Sequence, residues 1–204
     1  MQETWNIQCP DLVNIDGFQQ IVFETRTDTR GGGVGMNIRN GLEYQIRKDL
    51  QLNTMKTFEN ITIEVKYSKK AIIFSNIYRS PTTPPGVTQG EYLDDFLCKL
   101  DEHLNRVTDT NRDAYVFLDS NIDLLKSQHL VSSEYLDTII CNGFLQIISK
   151  ATRIQGNSIS LIDHILVNNN LQNYNAGTIV TDISDHMMID ELYRNKRKNS
   201  STKQ

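Results

Sequence analysis

Four stretches of this chain carry side chains able to do chemistry, and each places them at the end of a short apolar run. They are Glu3 in QETW, Asp119 and Asn121 in YVFLDSN, Asp163 in SLIDHILV, and Asp185–His186 in ISDHMMI. Carboxylates gathered from strand ends far apart in a chain are how an α/β scaffold builds a site for a hard cation, which prefers carboxylate oxygen and keeps several waters. Taken singly, each has a plainer reading. A Glu near an N-terminus is usually just solvated, and Asp-Ser-Asn by itself describes a turn. Gly31–Gly32–Gly33 lacks the Lys-Ser/Thr of a phosphate loop and the third glycine of a dinucleotide loop, so it reads as a tight turn leading into a close-packed strand.

The elements that must position these residues follow from pattern. VGMNIR and LEYQIR flank Asn40–Gly41, a strong hairpin signal. ITIEVKY and AIIFSNIY form a second strand pair around Ser68–Lys70, and Ser80 to Gly86 is a proline-rich loop. Leu93, Phe96, Leu97, Leu100 and Leu104 share one helical face, with Asp94, Asp95, Lys99 and Glu102 opposite. YVFL at 115–118 reads as a central strand buried on both faces. A second helix is expected from Ser132 or Ser133 through Leu136, Ile139 and Ile140, stopped at Gly143. FLQIIS, LIDHILV and AGTIV then predict three more strands. Hairpins and crossovers in this mixture imply a layered α/β sandwich with mixed sheets, its ligand crevice where strand ends and loops converge.

Composition sets the frame. The 204 residues suit one domain, and 38% hydrophobic with 23% charged residues reads as soluble and globular. No apolar stretch approaches the roughly 20 residues that span a bilayer, and no signal-like N-terminus is present. Cys9, Cys98 and Cys141 have no metal-type spacing and read as reduced thiols of an intracellular protein. The overall charge of −4 hides an asymmetry: residues 191–204 carry +4, leaving −8 on residues 1–190. An acidic body does not itself advertise polyanion binding, but a carboxylate-held divalent ion reverses the local sign. Residues 1–190 are therefore expected as the folded domain and 191–204 as a basic, disordered tail.

QETW, GGGVGMNIRNGL, SNIYRSP, FLDSNIDLL, ATRIQGNSISLIDHILVN and ISDHMMI occur in an order that resembles the endonuclease domain of non-LTR retrotransposons, itself similar to apurinic endonucleases of the exonuclease–endonuclease–phosphatase superfamily. The resemblance spans roughly Gln2 to Ile189. It implies a DNase I-like sandwich of two mixed sheets flanked by helices, and Mg²⁺-dependent nicking of DNA, with Mn²⁺ as the alternative ion. By resemblance, Glu3 and Asp185 belong with the metal, His186 is the catalytic His and Asp163 the carboxylate that orients it. Asp119 positions or deprotonates the attacking water, Asn121 binds that water or a phosphate oxygen, Tyr78 reaches the phosphate with its hydroxyl, and Arg79 contacts the nucleic-acid backbone. A carboxylate beside an imidazole fixes its tautomer and favours its protonated form. His164 follows Asp163 on the strand, faces the other way and is expected to be structural. His103 and His129 are expected to face solvent.

The resemblance further implies DNA as partner, a reverse transcriptase domain in the complete element, no membrane association, a monomer, and action in the nucleus. The family has a strand and helix ahead of Glu3, and that strand contributes an Asn near the metal; here only Met1 and Gln2 precede Glu3. Leu118–Asp119–Ser120 stands where Gly-Asp-Phe is usual, placing bulk beside Asp119 and removing an aromatic packing group. Two alternatives stay open: a non-catalytic remnant that binds nucleic acid weakly at most, and a phosphatase of the same superfamily.

Overall fold

The computed structural model describes residues 2, 4, 14–24, 31–54, 56–169, 175–181 and 184–191. Among these, a six-stranded mixed sheet organises the molecule. Its strands are β3 (Glu43–Ile46), β4 (Glu59–Tyr67), β5 (Lys70–Tyr78), β6 (Asp113–Asp119), β7 (Leu145–Gln146) and β10 (Asp163–Val167), in the order β3-β4-β5-β6-β10-β7. Only β5 and β6 run parallel, joined by the crossover helix α1 (Gln89–Asp109); every other pairing in the sheet is antiparallel.

Helix α1 begins where the sequence supplies a reciprocal cap. The Thr88 side chain accepts from the Glu91 N–H, and the Glu91 carboxylate accepts from the Thr88 N–H. Phe96, Leu100, Leu104 and Val107 are fully buried against Ile73 and Ile77 of β5 and Val116 and Leu118 of β6. The second helix, α2 (Leu130–Cys141), starts two residues before the earlier of the expected starts and stops at Gly143, whose φ of 77° only glycine adopts freely. Tyr135, Ile139 and Phe144 complete the same helix-side core.

Strand alternation divides each strand between two faces. Ile61, Ile63 and Val65 of β4, Phe74 of β5, Tyr115 and Phe117 of β6, and Ile165 and Val167 of β10 turn away from the helices. Two ribbons cover that face. One pairs β1 (Val22–Glu24) with β2 (Val34–Met36); the other pairs β11 (Ala176–Ile179) with β12 (Met188–Glu191). A hairpin of β8 (Arg153–Gln155) and β9 (Ser158–Ser160), turning at Gly156–Asn157, precedes β10. The result is the layered sandwich expected from the sequence.

Three expectations are corrected. Asn40–Gly41 does form a turn, but β2 and β3 do not pair with each other: β2 pairs with β1 and β3 with β4. The turn carries the chain from ribbon to main sheet, because Ile38 is buried over Ile63 and Val65 while Glu43–Ile46 extends the sheet edge. His103 is fully buried, not solvent-facing, its Nδ1 3.0 Å from the Leu50 carbonyl and its Nε2 3.1 Å from Ser75 Oγ. Leu118 does not crowd Asp119, since it points into the helix-side core from the opposite face of β6. His129 is exposed at the N-cap of α2. Glu191 ends β12, and the expected basic tail from 192 onward lies outside the described residues.

Candidate functional site

Register brings the candidate carboxylates together. Asp163 is the direct cross-strand partner of Asp119, and Asp119 in turn lies beside Tyr78 of β5. Asp119 and Asp163 share the ribbon-side face at the strand ends, with only 5% and 7% of their surface exposed. His186 reaches them from the segment just before β12. That segment is held by an antiparallel bridge to Arg153 and by bonds from Met187 N–H to the Thr152 carbonyl (2.6 Å) and from Ile154 N–H to the Asp185 carbonyl (2.9 Å). The His186 Nδ1 lies 3.0 and 3.1 Å from the two Asp163 oxygens. One ligand atom each from Asp119, Asp163 and His186 falls within 4.8 Å of the others.

The electrostatics follow from this placement. The Asp163 hydrogen bond raises the His186 pKa above its ordinary value, helped by the charges of Asp163 and Asp119 and opposed by burial and by Arg153. The imidazolium is thereby favoured, with Nδ1 committed to Asp163. Thr152 Oγ1 accepts from the N–H groups of both Ile162 and Asp163, fixing the backbone that carries the carboxylate.

Behind the site, on the helix side, the residues after each Asp form a second network. Ser120 and His164 are fully buried, as is Tyr135 of α2. The Tyr135 hydroxyl is 2.8 Å from His164 Nδ1, Ser120 Oγ is 3.3 Å from the same nitrogen, and His164 Nε2 is 3.2 Å from the Leu161 carbonyl. His164 Nε2 therefore donates and Nδ1 accepts, which is the neutral form; burial pulls its pKa down to about 4. This is the structural role expected of His164.

The other candidates distribute unevenly. Asn121 adopts φ 51° and donates from its side-chain amide to the Arg79 carbonyl at 2.8 Å, while its N–H lies 3.3 Å from Asp119 Oδ1. Its side chain braces the loop after β6. Tyr78 is 2% exposed and packs with Val34 and Ile61. Arg79 is not brought to the site surface. Its guanidinium is buried over the Tyr92 and Phe96 rings, at 4.8 and 5.2 Å, and donates to the Ser120 carbonyl at 3.0 Å. Asp185 turns to Arg153, whose Nε lies 2.7 Å from Oδ2, and that contact holds the Asp185 carboxyl below its usual range. Glu3 lies outside the described residues.

A cavity of about 870 Å³ adjoins the site, lined by Asp119, Asp163 and His186 at one end and by the two ribbons elsewhere. Sequence reasoning missed Asn76, which also lines it, is 2% exposed and accepts from Gln2 Nε2 at 2.6 Å. The signal was present: Asn76 is two residues before Tyr78 on a strand and so shares its face. Arg153 as the Asp185 partner had no comparable signal, because it depends on the β8–β9 hairpin folding back beside residues 185–187.

The layered sandwich built on this mixed sheet is a fold shared with solved nucleases and phosphatases of low sequence identity. The endonuclease domain of TRAS1, a telomere-specific non-LTR retrotransposon, superposes with a TM-score of 0.67 at 14% identity, over 90% of this chain and 83% of that one. The 3′ phosphatase NExo from Neisseria, bound to product DNA hairpin, gives 0.67 at 14% identity over 95% and 87%. An AP endonuclease from Archaeoglobus fulgidus gives 0.64 at 17% identity over 95% and 87%. No family model matches the sequence, and no curated protein does.

Proposed function

We propose that this chain is a divalent-metal-dependent phosphodiesterase that nicks DNA, as the endonuclease of a retrotransposon preparing a 3′-hydroxyl for reverse transcription. The observation that carries the reading is the Asp163–His186 contact at 3.0 Å, facing Asp119 at the end of a deep cavity. An imidazolium held this way stabilises the charge that develops on a phosphate in the transition state. Asp119 is the group to orient or deprotonate the attacking water, with Asn121 holding the Asp119 loop in shape and Tyr78 bracing the adjacent strand end.

The donor set suits a hard cation: two carboxylates almost excluded from water, beside the amides of Gln2 and Asn76. Asp119 and Asp163 on the inner face, with Glu3 from the neighbouring segment, are the residues proposed to hold it. Asp185 would join them only by releasing Arg153. When bound, Mg²⁺ would supply Lewis-acid polarisation of the phosphoryl oxygen and charge neutralisation.

Supercoiled plasmid with Mg²⁺ tests the proposal. Asp119→Ala and His186→Ala should each slow conversion to the nicked circle by roughly 10²–10⁴. The enzymatic reading fails if wild type does not nick, or if neither substitution alters the rate. A 3′ phosphatase shares the fold, so a 3′-phosphorylated oligonucleotide belongs in the same assay; faster phosphate release than nicking would move the proposal to that substrate.

A further inference from the structure

Asp119 is the group on which the proposed chemistry turns, and one peptide unit faces its carboxylate from the loop after β6. The peptide between Ser120 and Asn121 is bonded at both ends. Its N–H lies 3.3 Å from Asp119 Oδ1, and its carbonyl accepts from Arg79 Nη1 at 3.0 Å. Turning that unit over would take the N–H away from the carboxylate and aim a carbonyl oxygen in its direction. The backbone has reason to turn. Asn121 sits at φ 51°, in the left-handed region that side chains other than glycine enter at a cost. Rotating the peptide by half a turn swings φ of Asn121 back to the negative values that most residues prefer.

Arg79 opposes that rotation. It follows β5 directly and bonds each residue of the turn in succession. Its N–H donates to the Asp119 carbonyl at 3.0 Å, its guanidinium to the Ser120 carbonyl, and its own carbonyl accepts from Asn121 Nδ2 at 2.8 Å. The guanidinium is itself seated. Only 6% of the residue is exposed, and the group lies over the Tyr92 and Phe96 rings of α1. A planar guanidinium stacks on aromatic faces while donating in its own plane, and an ionised donor makes the stronger bond to a carbonyl. Tyr92 closes the arrangement, its hydroxyl 2.7 Å from the carbonyl of Ser80, the residue after Arg79. Helix α1 fixes Arg79, and Arg79 fixes the turn.

We propose that Arg79 is a positioning residue for Asp119. It locks the Ser120–Asn121 peptide so that an N–H and not a carbonyl meets the carboxylate, and it touches neither substrate nor reacting atoms. The inference rests on the catalytic role proposed above for Asp119. It gives the buried arginine a place in the reaction that needs no contact with the nucleic-acid backbone. Freed from Arg79, the turn relaxes, and Asp119 samples orientations that do not aim at the attacking water. Misplacing a reacting group by about 1 Å can cost as much as about 10²-fold in rate.

Arg79→Met, which keeps an apolar stem and removes the guanidinium, tests this. Its control is Val107→Ala, a fully buried change in the same core, about three turns of α1 beyond Phe96. Two readouts are taken on the full chain: Mg²⁺-dependent plasmid nicking, and hydrogen exchange at the Asn121 amide relative to Val116 of β6. Arg79→Met should lower kcat by about 10- to 10²-fold with KM unchanged, and speed relative exchange at Asn121 at least about ten-fold. Val107→Ala should change neither. Should Arg79→Met not fold, Arg79→Lys carries the same readouts and should move both in the same direction, since it keeps the charge but has no plane to stack on two rings. An Arg79 variant with wild-type kcat, or with unchanged relative exchange, overturns the proposal. An equal fall in kcat for Val107→Ala overturns it too, because general loosening then accounts for the loss. So does a raised KM at constant kcat, which would put Arg79 on the substrate. If wild type itself does not nick, the enzymatic reading fails alone, and the exchange comparison still decides whether Arg79 sets the peptide.

Discussion

Lowering the pH from 6.5 to 5 should destabilise the protein by about 3 kcal/mol, through two buried histidines that no proposed chemistry uses. His103 and His164 are both fully buried and neutral, and burial lowers the pKa of each from 6.5 to about 4. Each sits between hydrogen-bond partners that suit one neutral tautomer: Leu50 and Ser75 for His103, Leu161 and Tyr135 for His164. Below pH 6.5 the unfolded chain takes up a proton at each position while the native state does not, so stability present above pH 6.5 is lost as pH falls towards 4. The slope approaches about 1.4 kcal/mol per pH unit per histidine, or about 2.7 for the pair, once the unfolded chain is fully protonated. Against the 5–15 kcal/mol typical of a whole domain, the loss at pH 5 is large. His186 works in the other window. Its raised pKa gives stability that is complete below 6.5 and is lost as pH rises through the folded value, so it adds no slope here. Urea unfolding at pH 7, 6 and 5 on wild type, His103→Gln and His164→Gln reads the effect. Whatever each variant loses at pH 7, its slope below pH 6.5 should halve. A wild-type slope near zero, or one that neither substitution changes, would mean the imidazoles protonate in place and the burial argument is wrong.

Three further outcomes follow from the site. Asp163→Asn removes the main cause of the raised His186 pKa, so the imidazole should titrate at lower pH in a nuclear magnetic resonance titration; an unchanged midpoint would show that Asp163 does not control it. Tyr135→Phe leaves His164 Nδ1 with only the longer contact to Ser120 and should cost about 1–3 kcal/mol in urea unfolding, whereas a neutral result would remove the network from the account of how β6 and β10 are held. Arg79→Met should lower stability by a similar amount, about 1–3 kcal/mol, while leaving the salt dependence of DNA binding unchanged. A salt slope reduced by about 1 would instead put the guanidinium on a phosphate.

What the sequence made legible was whatever local pattern determines. The strand pairs around residues 61–78, the α1 face, the Gly143 stop and the central place of YVFL all depend on period and on turn chemistry. The hairpin reading of Asn40–Gly41 failed because a turn signal fixes the reversal but not the partners; Ile38–Asn40 pair instead with Gly17–Gln19, and Ile38 covers Ile63 and Val65. His103 failed for a related reason. Its apolar helical neighbours did not reveal that Ser75 and the Leu50 carbonyl would supply polar partners inside the core. At the site, the Asp163–His186 pairing came from the family resemblance and not from local pattern, which marked the two residues separately without joining them. Asp185 could not be resolved in the same way, since its neighbour Arg153 comes from a hairpin 32 residues earlier.

The Leu118–Asp119–Ser120 sequence shows how much of a motif's variation the strand's two faces absorb. Leu118 and Ser120 both point away from Asp119, into the helix-side layer, so neither alters the inner face directly. The Tyr135 hydroxyl of α2 reaches His164 past the small Ser120, whose N–H and hydroxyl both donate to the Ile162 carbonyl while its oxygen lies 3.3 Å from His164 Nδ1. The strand ends are thus pinned to each other at the very residues that follow the two carboxylates. Ser120, Tyr135 and His164 form one buried contact group behind the two carboxylates. The Asp119–Asp163 pairing on the far face is what that group holds in place.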